Sequence, residues 1–175
     1  MHQAQLDLLV FEAQSGNEKA FECLVIFFHP QLINFACNLS GNHALAKDAV
    51  QDVWITMSKK LSKLEDPRAL KSWLFRALRW RILDLVKAKS YQFQAIEDTY
   101  LSVELDESEI ERQQLRKAIN KLPDRERSVI YLFYLVELPL AEVALVLEIP
   151  QGTVKSRLNK ARVSLHQQLD FNVTT

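Results

Sequence analysis

Glycine is nearly absent from this sequence: three residues in 175, beside only five prolines. A fold with many strands and tight turns needs residues that accept positive φ, so this scarcity argues against a sheet-rich protein. Leu, Ala, Glu, Lys and Gln outnumber Val and Ile, and all five are good helix formers. Long apolar runs are also missing. The longest uninterrupted one, Val129 to Val136, is less than half of what a bilayer span requires. The N-terminal MHQAQLDLLVFEAQ has no basic region before its apolar residues, and Asp7 interrupts it. It therefore does not read as a secretory signal. The expectation is a cytoplasmic protein without membrane insertion.

Cysteine is sparse too, with Cys23 and Cys37 alone, both in apolar surroundings. They read as two buried structural thiols in a reducing compartment. His29 and His43 lie nearby, but the spacings match no compact zinc pattern. There is no Gly-rich phosphate loop and no nucleophile paired with a base. The sequence thus gives no reason to expect a cofactor, a metal or a catalytic site.

An excess of either charge is the last thing missing, since 22 basic and 22 acidic residues cancel. The distribution is uneven, however. Residues 1–90 carry 12 basic and 9 acidic side chains, residues 91–113 one and seven, and residues 114–175 nine and six. Two mildly basic ends flank an acidic middle. That pattern points to nucleic acid where the neutral total does not.

The acidic middle, residues 91–111, also breaks the helical periodicity. It reads as a linker that turns helical again near Ser108, dividing an N-terminal helical domain, residues 1–90, from a smaller one, residues 112–175. The N-terminal part reads as four helices. The first spans residues 3–14. Ser15 and Glu18 suggest a capping box for a second helix that runs to about Leu39. Asn42 suggests a cap for a third, running to about Leu61, whose Ala46, Val50, Val53, Met57 and Leu61 recur as one buried stripe. After a loop, SKLEDP, the fourth runs from about Arg68 to Lys89.

That fourth helix holds seven basic side chains and one acidic one, Asp84. At about 100° per residue, Arg68, Arg76, Arg79 and Lys87 share one arc. Phe75 and Trp80 border it, while Trp73, Leu74, Ala77 and Leu78 read as core. Cations beside aromatic rings suit single-stranded nucleic acid, whose bases stack on rings while its phosphates meet the charges. Trp80 fits either a base contact or the core. On the third helix Asp48, Gln51, Asp52 and Ile55 form a face opposite the buried stripe, which fits either solvated surface or a dock for a basic partner helix.

In the C-terminal part a helix near residues 109–121 ends at Pro123, and another follows to about Val136. Leu140, Val143, Ala144 and Leu147 then share one face of a short helix. Pro150 and Gly152 suggest a turn, and Val154, Leu158, Ala161 and Leu165 form the inner face of a second helix. Its outer face carries Lys155, Ser156, Asn159, Lys160 and Arg162. Two short helices with a tight turn and a basic second helix make a helix-turn-helix, whose second helix fits the major groove. Between residues 128 and 154 there is no Lys or Arg, so phosphate contacts must rest on Arg125, Arg127 and the 155–162 stripe.

Three segments, DAVQDVW at 48–54, PRALKSWLFRALRWRILD at 67–84 and LPDRERSVIYLFYLVELPLAEVALVLEIPQGTVKSRLNKAR at 122–162, resemble an extracytoplasmic-function (ECF) sigma factor of the sigma-70 family. The resemblance covers nearly the whole chain. It implies an all-α protein of two helical domains, sigma region 2 and sigma region 4, joined by the acidic linker. It further implies that Asp48, Gln51, Asp52 and Ile55 bind the β′ clamp helices of core RNA polymerase. The loop Ser62–Pro67 and the next helix, with Arg68, Lys71, Arg76, Arg79, Trp80 and Lys87, would capture the −10 promoter element as it melts. The helix-turn-helix, with Arg125, Arg127, Thr153, Lys155, Ser156, Asn159, Lys160 and Arg162, would read the −35 element beside the β flap. Family members are commonly restrained by an anti-sigma factor.

The sequence departs from the family at the turns. Pro139 stands where a capping Ser is usual, and Glu137 and Glu148 where Gly is common. Trp80 or Arg81 falls where Asn is frequent. These departures keep a second reading open: a sigma-like DNA-binding regulator that does not direct initiation. A third, a helical metalloenzyme using His29, His43 and the cysteines, has no ligand spacing behind it.

Overall fold

A computed structural model describes residues 3–88 and 107–173, with side chains described for 3–88 and 113–169. The described residues form two compact units, the first holding the helices up to Ala88 and the second nearly all of those from Glu107 on. Most of the acidic 91–111 segment lies outside the described residues.

The first unit has four helices: α1 Gln3–Gln14, α2 Glu18–Ser40, α3 His43–Lys60 and α4 Leu70–Ala88. Single 3₁₀ turns at Leu61–Lys63 and Pro67–Ala69 bridge α3 and α4. The capping residue of α2 is Asn17, not Ser15: its side chain accepts from the Ala20 N–H at 3.2 Å. Ser15 instead donates back to the Phe11 carbonyl and closes α1, and Gly16 makes the turn at φ 91°. Gly41 ends α2 at φ 62°, with its N–H on the Cys37 carbonyl. Asn42 caps α3 as its sequence position suggests, accepting from Leu45 N–H at 3.0 Å.

The core of this unit is apolar throughout. Leu24, Phe28, Leu32 and Phe35 of α2 meet Ala46, Val50, Val53 and Met57 of α3 and Leu70, Leu74, Phe75, Leu78 and Ile82 of α4. Phe75 is fully buried, edge-on to Phe35 at 5.4 Å, so it belongs to the core and does not border the basic arc. Helix α2 is long and apolar enough to cross a bilayer, but one whole face of it is spent on this core. Pro30 within it forgoes a hydrogen bond to the carbonyl of Ile26, and both residues are exposed, so water can serve that carbonyl. Cys23 is exposed and Cys37 half-buried, which corrects the expectation of two buried thiols. Burial raises the Cys37 thiol above its ordinary pKa.

The second unit holds α5 Glu107–Asn120, α6 Asp124–Ile130, a π-helical turn Tyr131–Leu135, all but the last three residues of α7 Leu140–Leu147, and α8 Gln151–Val173. Its core includes Leu122, Val129, Leu132, Val136, Leu138, Val143, Val154, Leu158 and Ala161. Leu165, expected on the inner face of α8, is half-buried. The helical segment expected to reach Val136 switches register at Tyr131, where Val136 N–H bonds to the Tyr131 carbonyl at 3.0 Å.

Candidate nucleic-acid and protein interfaces

The helix-turn-helix begins at Pro139, which offers no side-chain cap to α7. Its carbonyl accepts from Val143 N–H at 2.9 Å, so the first turn forms without one. Two non-glycine residues take the left-handed conformation at the turns: Glu137 at φ 60° and Glu148 at φ 55°. Glu148 ends α7 with its N–H on the Ala144 carbonyl. The turn is Glu148–Pro150, and Gly152 lies inside the first turn of α8, not in the turn itself. Nothing lies within 4 Å of where a Cβ on Gly152 would sit. The fold therefore gives no internal reason for glycine there.

Val154, Leu158 and Ala161 commit one side of α8 to the core. The opposite side exposes Lys155, Ser156, Asn159, Lys160 and Arg162, with Thr153 and Arg157 half-buried at its edges. The Ser156 hydroxyl donates to the Thr153 carbonyl at 3.0 Å. Arg162 Nε donates to the Tyr134 hydroxyl at 2.7 Å. Arg125 is exposed. Arg127 is tied within the unit: one Nη donates to the Asn120 carbonyl at 3.1 Å and the other pairs with Asp124. It thus braces the α5–α6 junction.

On α4 the exposed stripe is Arg76, Trp80 and Lys87, with Lys71 and Arg79 half-buried beside it. Trp80 is 48% exposed and so is not a core ring. Arg68 lies before the helix, in the 3₁₀ turn, and its guanidinium grips Asp66 through Nε and Nη2 at 3.0 and 3.1 Å. Asp66 also caps that turn by accepting Arg68 N–H, and these bonds lower its pKa. Between the loop and the start of α4 opens a cleft of about 480 Å³, lined by Met57, Lys60, Lys63, Leu64, Glu65, Asp66, Ala69 and Trp73. Trp73 and Ala77, expected in the core, are only half-buried. The periodicity placed Trp73 on the inner face and gave no sign of the cleft; Lys60 and Lys63 are the cations sequence reasoning passed over.

On α3 the structure exposes Asp48, Gln51 and Ile55 on one face and leaves Asp52 half-buried beside them. The Asp52 carboxylate accepts from Arg81 Nε of α4 at 2.7 Å. Trp54, the last residue of DAVQDVW, points inward and meets Phe21 edge-on at 6.0 Å. Among the described residues no three His, Cys, Asp or Glu side chains gather as a metal site.

Comparison with known proteins matches two family models to the chain. Residues 24–91 match the family model for sigma-70 region 2, and residues 112–165 match that for sigma-70 region 4. The chain is 27% identical to the ECF RNA polymerase sigma factor SigW of Bacillus subtilis, over 90% of its own length and 93% of that relative's. It is 26% identical to the ECF sigma-E factor of Escherichia coli, over 93% of each. Among solved structures, CnrH in complex with the cytosolic domain of CnrY matches at TM-score 0.65 and 25% identity, covering 94% of this chain and 97% of that one. The sigma factor RpoE with the anti-sigma factor NepR from Bartonella quintana matches at 0.64 and 29%, covering 87% and 98%.

Proposed function

The chain belongs to the extracytoplasmic-function group of the sigma-70 family, and from that membership we propose how its two units divide the work of starting transcription. As a sigma factor it binds core RNA polymerase, recognises promoter DNA and directs DNA-dependent initiation. It is an initiation factor working in the cytoplasm, with no catalytic step of its own. Residues 1–90 act as region 2, residues 91–111 as the linker and residues 112–175 as region 4.

In region 2, Asp48, Gln51, Asp52 and Ile55 form the polymerase-binding face: two carboxylates and an amide beside an exposed apolar residue suit a basic helix with an apolar anchor. The α4 stripe and the cleft beside it take the −10 element. Arg76 and Lys87 meet phosphates, with Arg68, Lys71 and Arg79 flanking, and Trp80 offers an exposed ring to an unstacked base. Trp73, Lys60 and Lys63 give a second base a walled site with cations at its rim.

In region 4, α8 enters the major groove at the −35 element. Ser156 and Asn159 face base edges, and Thr153, Lys155, Lys160 and Arg162 face the backbone with Arg125. Arg127 contributes by holding α6 against α5. The left-handed Glu137 and Glu148 preserve the helix-turn-helix without its usual glycines, which removes the main motive for the non-initiating regulator. As with RpoE, solved with the anti-sigma factor NepR, an anti-sigma factor is the expected restraint.

The observation that carries this reading is the co-occurrence, in one chain, of an exposed Arg–Trp–Lys stripe on α4 and an exposed Lys–Ser–Asn–Lys–Arg stripe on a helix-turn-helix. Footprinting of the polymerase complex tests it: protection must appear at two promoter segments. Protection of one segment only would contradict the division.

A further inference from the structure

No role has been assigned above to Tyr134, yet it is locked in place beside the recognition helix. It sits in the π-helical turn Tyr131–Leu135, in which Tyr131 and Leu132 face the core while Tyr134 and Leu135 face outward. Its ring meets Phe133 edge-to-face at 5.0 Å and 90°. Its hydroxyl accepts from Arg162 Nε at 2.7 Å, and the Arg162 guanidinium carbon lies 5.6 Å from the ring centroid. Tyr134 is 47% exposed, so water could have served its hydroxyl. Burial does not force the bond with Arg162.

We propose that Tyr134 is a positioning residue for duplex recognition by α8, holding the Arg162 guanidinium so that its two terminal amino groups meet a DNA phosphate. The inference rests on the reading of α8 as the −35 helix. Arg donates through five N–H bonds in a planar fork. Using Nε on the phenol fixes the plane and leaves both Nη groups for a bidentate grip. An unanchored Arg loses rotamer freedom when it binds; one already held by a ring and a hydroxyl loses less. The gain matters here because few cations stand beside the start of the helix-turn-helix. None occurs between residues 128 and 154, and Arg127 is committed to Asn120 and Asp124.

Y134F removes the hydroxyl and keeps the ring, and at an exposed position it should fold normally. The test measures binding of polymerase carrying the full-length chain to a promoter fragment, over a series of salt concentrations, beside a fragment whose −35 segment is scrambled. Y134F is expected to weaken binding to the intact promoter by about 3- to 10-fold, the effect of one hydrogen bond. R162A should weaken it further and lower the salt slope by about one. The double variant should match R162A within about twofold, as for two residues acting as one unit. Binding to the scrambled fragment should fall by a similar factor, because a phosphate contact does not depend on base sequence. Y134F equal to wild type, or losses that simply multiply in the double variant, would overturn the proposal alone. Wild-type complex unable to distinguish the two fragments would overturn the −35 reading and this inference with it.

Discussion

Arg81 of α4 donates its Nε to the Asp52 carboxylate of α3 at 2.7 Å. The bond joins the helix proposed to dock on polymerase to the helix proposed to capture melted DNA. Both side chains are about two-fifths exposed, so the pair adds little to stability. Its consequence is orientation: Asp52 is presented from a fixed position beside Asp48, Gln51 and Ile55.

Docking and folding should therefore separate by mutation. R81A is expected to cost less than about 1 kcal/mol of stability, the usual range for an ion pair open to solvent. D48A and D52A should lower affinity for core polymerase by 10-fold or more, with a smaller loss for R81A. Urea unfolding and a titration against labelled core polymerase measure the two. Equal affinity for D52A and wild type would remove Asp52 from the docking face.

Trp80 should report on promoter melting. The other two tryptophans are buried or half-buried, so red-shifted emission comes mainly from Trp80, and a stacked base should quench it. W80A is expected to weaken open-complex formation by the worth of one stacked base, about 1–3 kcal/mol. W80F should recover part of the loss. Open complexes formed equally by W80A would show that the ring has no base partner.

Glu137 takes a left-handed conformation that glycine would adopt without steric cost. E137G should stabilise the C-terminal unit by up to about 1 kcal/mol, seen as a higher melting temperature. A lower melting temperature would mean that the entropy lost by glycine exceeds the strain relieved.

Gly152 should show the opposite balance. Since a Cβ meets nothing within the fold, G152A should stabilise the start of α8 by up to about 1 kcal/mol. Its exposed backbone lies on the α8 side proposed to meet DNA, so the added methyl should weaken −35 binding. Unchanged DNA affinity together with higher stability would leave the glycine without a role at the interface.

Cys23 should react with an alkylating reagent before Cys37, because Cys23 is exposed while burial raises the Cys37 pKa and suppresses its thiolate. The folded chain holds the Cys37 proton more tightly than the unfolded chain does. That contribution to stability therefore falls as pH rises past the ordinary thiol value. Faster modification of Cys37, followed by peptide mass, would contradict the burial described.

What the sequence made legible were features carried by local spacing. The Asn42 cap, the inner stripe of α3 and the apolar face of α8 each lie within a few turns of one helix, where a period of 3.6 suffices. The start of α2 was harder because Ser15 and Asn17 are both capping types, and only the turn at Gly16 selects the second. Phe75 and Trp80 sit near opposite edges of one arc, and packing sent the first inward and left the second outside. The π turn has no sequence sign, since eight consecutive apolar residues carry no period. The pairs Arg81–Asp52 and Arg162–Tyr134 span 29 and 28 residues. No local pattern reaches that far, so only the fold brings them together.

The most direct test is transcription in vitro from a library of promoter fragments, using purified core polymerase with and without this protein. The account predicts transcripts that depend on the protein and start downstream of shared −10 and −35 elements. Core polymerase left unbound, or bound without any promoter-specific start, would contradict it.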